Sequence, residues 1–166
     1  MKGVRTYIVA LAVLALILTG SKVSAAALIQ KFEGFRDKAY LDSANVYTIG
    51  YGSTRNPITG VKVKKGDTIT QATALQWLKI QTAAFAKDID ALVKVPINDN
   101  ERTALLSFVY NIGTPRFKCS TLLRKLNANA PRAEVAKEFM RWVYVNKQKV
   151  QGLVNRRLTE KALFLS

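Results

Sequence analysis

Histidine is absent from this 166-residue chain, and cysteine occurs once, at Cys119. The first absence removes Ser-His-Asp and Cys-His catalysis and the usual zinc sites, which depend on imidazole. The second removes any disulfide within the chain and any Cys-X-X-Cys motif. Beside Phe117 and Leu122, Cys119 reads as a small core filler rather than a reactive thiol. Acids are scarce: 11 Asp and Glu stand against 26 Lys and Arg, a net charge of +15. Only Lys2, Arg5 and Lys22 of those cations precede residue 28, so the excess belongs to the body of the chain. Such a surface calls for a polyanionic partner, whether nucleic acid, anionic lipid or an acidic wall polymer. No nucleic-acid module and no aromatic–basic alternation is present, and no nucleic-acid partner is expected. Internal repeats and low-complexity tracts are also missing. With imidazole and thiol chemistry removed, carboxylates are the leading acid–base groups; no cofactor and no metal site is expected.

The chain has one long uncharged stretch, Thr6 to Ser21, behind Lys2 and Arg5. Basic residues ahead of an apolar run keep the start cytoplasmic and send the chain beyond the run across the membrane. As a helix this stretch would reach about 24 Å, short of the roughly 30 Å hydrocarbon core. Ala10, Ala12, Ala15, Thr19 and Gly20 dilute it further, which makes a marginal membrane helix. Two readings stand: a secretory signal cleaved after the small residues Val23-Ser24-Ala25, or a retained segment, since Lys22 interrupts the approach to that site.

Beyond it, Ser24 can cap a helix carrying Leu28, Ile29, Phe32 and Phe35 on one face. From Ala39 to Thr68 the signals are strands and turns: Val46–Tyr51 is β-rich, Asn56-Pro57 and Thr59-Gly60 mark turns, and Val61 and Val63 alternate with lysines as in an edge strand. Everything after Thr70 reads as helix. Thr70 caps a long one; Asn98 and Glu101 have capping-box spacing for another, ending at Gly113. Ser120 opens a short helix, Pro131 the next to about Trp142, and a last runs Leu153–Leu165. Trp77, Phe108, Phe139, Trp142 and Phe164 read as core. The expected architecture is α+β: a small sheet-bearing lobe over about 26–69 and a helical lobe over about 70–166, with a cleft between them and residues 1–25 as a separate N-terminal segment.

The chemistry concentrates between Lys31 and Gly52, in Phe32-Glu33-Gly34-Phe35, Tyr40-Leu41-Asp42 and Tyr47-Thr48-Ile49-Gly50-Tyr51-Gly52. Glu33 lies among aromatics in a helical run; Asp42 and Thr48 lie in a polar, turn-rich segment. Glycosidic cleavage uses such a contrast: one carboxyl gives a proton, and the other stays ionised to manage water or positive charge. The order and separation of Glu33, Asp42 and Thr48 resemble the Glu–Asp–Thr triad of the phage-type lysozyme (endolysin) family. The blocks Leu106–Gly113, Ser120–Leu123 and Gly152–Arg157 extend the resemblance over about residues 26–166.

That resemblance implies a lysozyme-like two-lobed fold and hydrolysis of the β-1,4 bond between N-acetylmuramic acid and N-acetylglucosamine of peptidoglycan, leading to host cell lysis. It implies Glu33 as general acid, Asp42 as second carboxylate and Thr48 as a holder of the attacking water. Inversion at the anomeric carbon and a monomeric enzyme are expected with it. Tyr51 and Asn111 are expected near the cleft, and Arg156 and Arg157 either bind substrate or serve structure. Ser53 departs from many relatives, which carry His there. The short N-terminal segment resembles the signal-anchor-release segments of lambdoid-phage endolysins. By that likeness the enzyme is held inactive at the host inner membrane in a single pass, then freed uncleaved into the periplasm. Rival classes are a cationic wall- or lipid-binding protein without activity, and a holin-like membrane disruptor.

Overall fold

The computed structural model of the protein describes residues 23–42 and 44–166. The expectations for the apolar Thr6–Ser21 stretch and its charged start lie outside the described residues. Among the described residues no helix is long and apolar enough to cross a membrane. Residues 26–84 and 85–166 form two compact units. Their division falls inside the long helix Gln71–Leu92.

In the first unit, helix α1 (Ala25–Glu33) buries Leu28 and Ile29 completely. It stops at Glu33 because Gly34 turns to φ +68° and returns its N–H to the Gln30 carbonyl at 3.0 Å. Strand β1 (Arg36–Leu41) then pairs antiparallel with β2 (Tyr47–Gly50), with Tyr40 opposite Thr48 and Leu41 opposite Tyr47. The expected strand around Val61–Lys64 is only a bridge, Arg55 opposite Lys62, extended by Val63 N–H to the Thr54 carbonyl at 2.9 Å. Its alternation is real, with Val63 buried and Val61 exposed. The intervening residues are consumed by a turn, leaving too few to pair as a strand. Helix α2 (Gln71–Leu92) starts where the Thr70 hydroxyl accepts the Thr73 N–H at 3.2 Å, and in this unit it buries Ala74 and Leu78.

The second unit is mainly helical. Helix α3 (Asp99–Ile112) carries the expected capping box: Asn98 accepts from Glu101 N–H and Glu101 accepts from Asn98 N–H, at 2.7 and 2.8 Å. A short α4 (Thr114–Lys118) with proline in its first turn follows, between the helices expected to end at Gly113 and to open at Ser120. Ser120 caps α5 (Thr121–Asn127) through Leu123 N–H, as expected. Helix α6 (Arg132–Lys137) is shorter than the pattern predicts and tightens into a 3₁₀ turn, Glu138–Arg141. Last comes α7 (Gln151–Phe164).

Between the 3₁₀ turn and α7 lies a hairpin in a region whose sequence reads as helix: β3 (Tyr144–Val145) and β4 (Gln148–Lys149). Its two turn residues, Asn146 and Lys147, both have positive φ, 48° and 65°. That is the backbone of a type I′ turn, usually announced by Asn-Gly; lysine in the second place hides the signal.

The core of this unit is aromatic. Phe108 meets Phe139, Trp142 and Phe117 edge-on at ring-centroid distances of 5.0, 5.6 and 6.4 Å, and Phe139 meets Phe164 at 5.6 Å. Each fully buried phenylalanine contributes about 1.5–3 kcal/mol by leaving water, and edge-to-face pairs add about 0.5–1.5 kcal/mol. Trp142 is only half-buried, as is Trp77 in the other unit. Cys119 corrects its expectation: it is exposed. It caps the short α4 at a position that faces outward, while neighbouring Phe117 takes the core site.

Candidate active site

All three residues singled out by the sequence lie in the 26–84 unit. Glu33 is the last residue of α1, Asp42 follows β1, and Thr48 stands within β2. The chain between Asp42 and Thr48 reverses direction, and the Asp42 carboxylate organises that reversal. Its Oδ1 accepts the N–H groups of Ala44 at 2.8 Å and Val46 at 2.9 Å, while its own N–H reaches the Val46 carbonyl at 3.0 Å. This is an Asx turn, and it fixes the carboxylate plane. Oδ2 is left aimed at Thr48, whose hydroxyl donates at 3.5 Å to Oδ2 and at 3.1 Å to the Val46 carbonyl. Thr48 is 3% exposed, so its hydroxyl has few alternatives to these partners.

Glu33 lies where the backbone of Gly52 comes close to its carboxyl. A methyl group on Gly52 would lie 3.0 Å from Glu33 Oε2, and Gly52 takes φ +88°. Only glycine both adopts that backbone and leaves room for the carboxyl. The preceding turn is pinned by reciprocal backbone bonds between Ile49 and Ser53, each 2.9 Å.

Tyr40 was not singled out from the sequence. It stands opposite Thr48 across the strand pair. Burial, then the negative charges of Glu33 and Asp42, raise its hydroxyl pKa above the ordinary tyrosine value, against the opposing pull of Arg36. The Arg36 guanidinium lies over the Tyr40 ring, 5.2 Å from its centroid. Tyr40 therefore sits within electrostatic reach of both carboxylates and remains a neutral hydrogen-bond donor at working pH.

The remaining expectations divide. Ser53 is buried and donates its hydroxyl to Gln81 Oε1 at 2.9 Å. Tyr51 is buried too; its ring meets Phe35 at 5.6 Å and its hydroxyl accepts from Gln71 Nε2 at 3.3 Å. In the 85–166 unit, Arg156 and Arg157 are buried and structural. Glu160 Oε1 accepts from Arg156 Nε and Arg157 NH2, each 3.1 Å, and from the Ser107 hydroxyl at 2.6 Å; Arg157 Nε also pairs with Glu160 Oε2 at 2.7 Å. Arg157 lies over the Phe108 ring at 4.9 Å and holds Asn111 Oδ1 at 3.0 Å. Two arginines on the buried face of a C-terminal helix cannot be told from surface ones by sequence, because their partner acid lies three and four residues on, as in any solvated helix. Among the described residues no three His, Cys, Asp or Glu side chains gather in a way that could hold a metal ion.

The family model for phage lysozyme matches residues 30–160. The endolysin of Acyrthosiphon pisum secondary endosymbiont phage 1 is 40% identical over 143 residues, covering 84% of this chain and 93% of that protein. The SAR-endolysin of bacteriophage PS119 is 36% identical over 133 residues, covering 80% of this chain and 76% of that one. The solved muramidase domain of SpmX from Asticaccaulis excentricus matches with a TM-score of 0.75 and 31% identity, over 87% of this chain and 98% of that domain. The chain belongs to the phage lysozyme family and is a lysozyme-type glycoside hydrolase.

Proposed function

We propose that this hydrolase cuts the β-1,4 bond between N-acetylmuramic acid and N-acetylglucosamine in peptidoglycan. Glu33 is the general acid that protonates the departing sugar oxygen; Asp42 and Thr48 aim water at the opposite face of the ring. The observation that carries this reading is the Asp42–Thr48 pair. One carboxylate oxygen is spent on the turn, and the other shares the Thr48 hydroxyl at 3.5 Å, an acceptor–hydroxyl arrangement suited to gripping a water. Water attack from that side gives inversion at the anomeric carbon, in a single displacement without a covalent sugar–enzyme bond. The protein acts as a monomer and uses no nucleic acid.

The test is Glu33→Gln with peptidoglycan as substrate. An amide keeps the shape and removes the transferable proton, so clearing should fall about 10²–10⁴-fold, the usual span for a general acid. Clearing at the parental rate would remove Glu33 from the mechanism. The anomer released in the first turnover, read by proton NMR, separates inversion from retention.

The N-terminal segment holds the enzyme inactive at the host inner membrane, and its uncleaved release into the periplasm starts lysis. Supporting this are the marginal apolar length of Thr6–Ser21 and the likeness to the SAR-endolysin of phage PS119. The intact mass of the soluble periplasmic protein decides it: 18.4 kDa means release of the whole chain, and loss of about the first 25 residues means a cleaved signal.

A further inference from the structure

The most exposed large apolar side chains among the described residues are Ile58 and Val61, at 70% and 65% of full exposure. They stand at the tip of one loop, and that loop is rigid. The Asn56 carbonyl accepts Gly60 N–H and the Asn56 N–H reaches the Val61 carbonyl, both at 2.9 Å. The Asn56 side chain accepts Ile58 N–H at 2.9 Å and Thr59 N–H at 3.3 Å, and Arg55 NH1 donates to the Gly60 carbonyl at 3.0 Å. Well-tied backbone of this kind has little freedom to fold the two aliphatic side chains away from water.

Residues 53–66 contain four cations, Arg55, Lys62, Lys64 and Lys65, and no acid. Among the described residues none of the three lysines makes an ion pair. The lysine end is fixed as well, since Asp67 Oδ2 accepts Lys64 N–H at 3.0 Å and Asp67 N–H returns to the Lys64 carbonyl at 3.2 Å.

We infer that this loop docks the 26–84 unit on an anionic phospholipid bilayer, with Ile58 and Val61 entering the headgroup boundary and Arg55, Lys62, Lys64 and Lys65 meeting lipid phosphates. The charge complement alone fits any polyanion. The aliphatic tip chooses among them, because a wall glycan or a nucleic acid offers no apolar layer for isoleucine and valine, whereas a bilayer offers one within a few ångströms of its phosphates. The contact is separate from the N-terminal segment and does not depend on the assignment of Glu33, Asp42 or Thr48.

The test uses the full chain with its one cysteine moved: Cys119→Ser combined with Ile58→Cys, labelled with an environment-sensitive fluorophore. A companion protein carries the label at Tyr144→Cys, an exposed position on the β3–β4 hairpin. Vesicles of phosphatidylglycerol with phosphatidylethanolamine should shift the emission of the position-58 label to the blue. Phosphatidylcholine vesicles should leave it unchanged, and the position-144 label should respond to neither. Each cation contributes about fivefold to such contact; replacing Lys62, Lys64 and Lys65 together by alanine should therefore weaken it about a hundredfold and abolish the shift, with melting unchanged. The inference is overturned if the position-58 label is silent, if it responds equally to phosphatidylcholine, or if both labels shift together. It is equally overturned if purified peptidoglycan without lipid produces the shift, which would assign the loop to the wall.

Discussion

Residues 26–84 bury Leu28, Ile29, Ile49, Tyr51, Val63, Ala74 and Leu78, while residues 85–166 bury more than twice as many apolar side chains around a cluster of phenylalanine rings. The charges differ in the same sense. In the first unit the candidate carboxylates, Glu33 and Asp42, are partly exposed and oriented by turns and a glycine. In the second, Glu160 is wholly buried and clamped by two arginines. A carboxyl that is to meet substrate and water needs open sides, and the two candidates lie in the unit with the thinner packing. Carboxyls that only hold structure can be closed in from every direction.

The sharpest break of that comparison is Glu33→Gln. Its activity loss of about 10²–10⁴-fold should come with a melting temperature that stays close to that of the parent protein. The mirror case is Glu160→Ala, which leaves two buried guanidinium groups facing each other. Removing one member of a buried ionic group costs about 3–5 kcal/mol, so urea denaturation should show a lowered midpoint, while protein still folded keeps its activity per molecule.

Next is Gly52→Ala. The new methyl meets Glu33 Oε2 at 3.0 Å on a backbone alanine resists, and a displaced acid loses about 10²-fold in turnover. A kcat measurement should fall while denaturation shows a smaller stability cost than Glu160→Ala.

The smallest effect is one of pH. Glu138 is buried, and the hydrogen bond from Lys125 at 2.6 Å, helped by Arg141, holds its carboxyl below the ordinary value of 4.5. A depressed carboxyl contributes stability above its unfolded value, and that contribution drains away as pH falls through the folded value. Glu138→Gln should therefore lose about 2 kcal/mol at neutral pH and show a flatter decline of melting temperature below pH 4.5 than the parent.

How much of the molecule is legible in its sequence depends on the range over which each feature is decided. The caps at Asn98 and Ser120 are settled within three residues, and the structure has them where the spacing predicts. The nearness of Asp42 to Thr48 is local as well, because a short strand pair joins them across one turn. The I′ hairpin at Asn146-Lys147 escapes because lysine at positive φ is imposed by pairing and not announced by composition. The clamp on Glu160 escapes because burial of α7 is decided by α3, some fifty positions away, through Ser107 and Phe108. Tyr40 is missed because its interest lies in where two carboxylates face it, which spacing alone does not encode.

Asp42 and Glu33 also differ in how far their restraints reach along the chain. Asp42 is aimed by amides two and four positions away, so its orientation belongs to a five-residue loop. Glu33 lies close against Gly52, on a separate segment that must return to the end of α1. On gentle heating the two should therefore part company in sequence: Glu33 drifts from Gly52 first, while the Asp42–Thr48 pair stays assembled. Thermal inactivation would then run ahead of unfolding, with an early, reversible stage in which the enzyme is intact in shape but the Glu33 carboxyl has left its place.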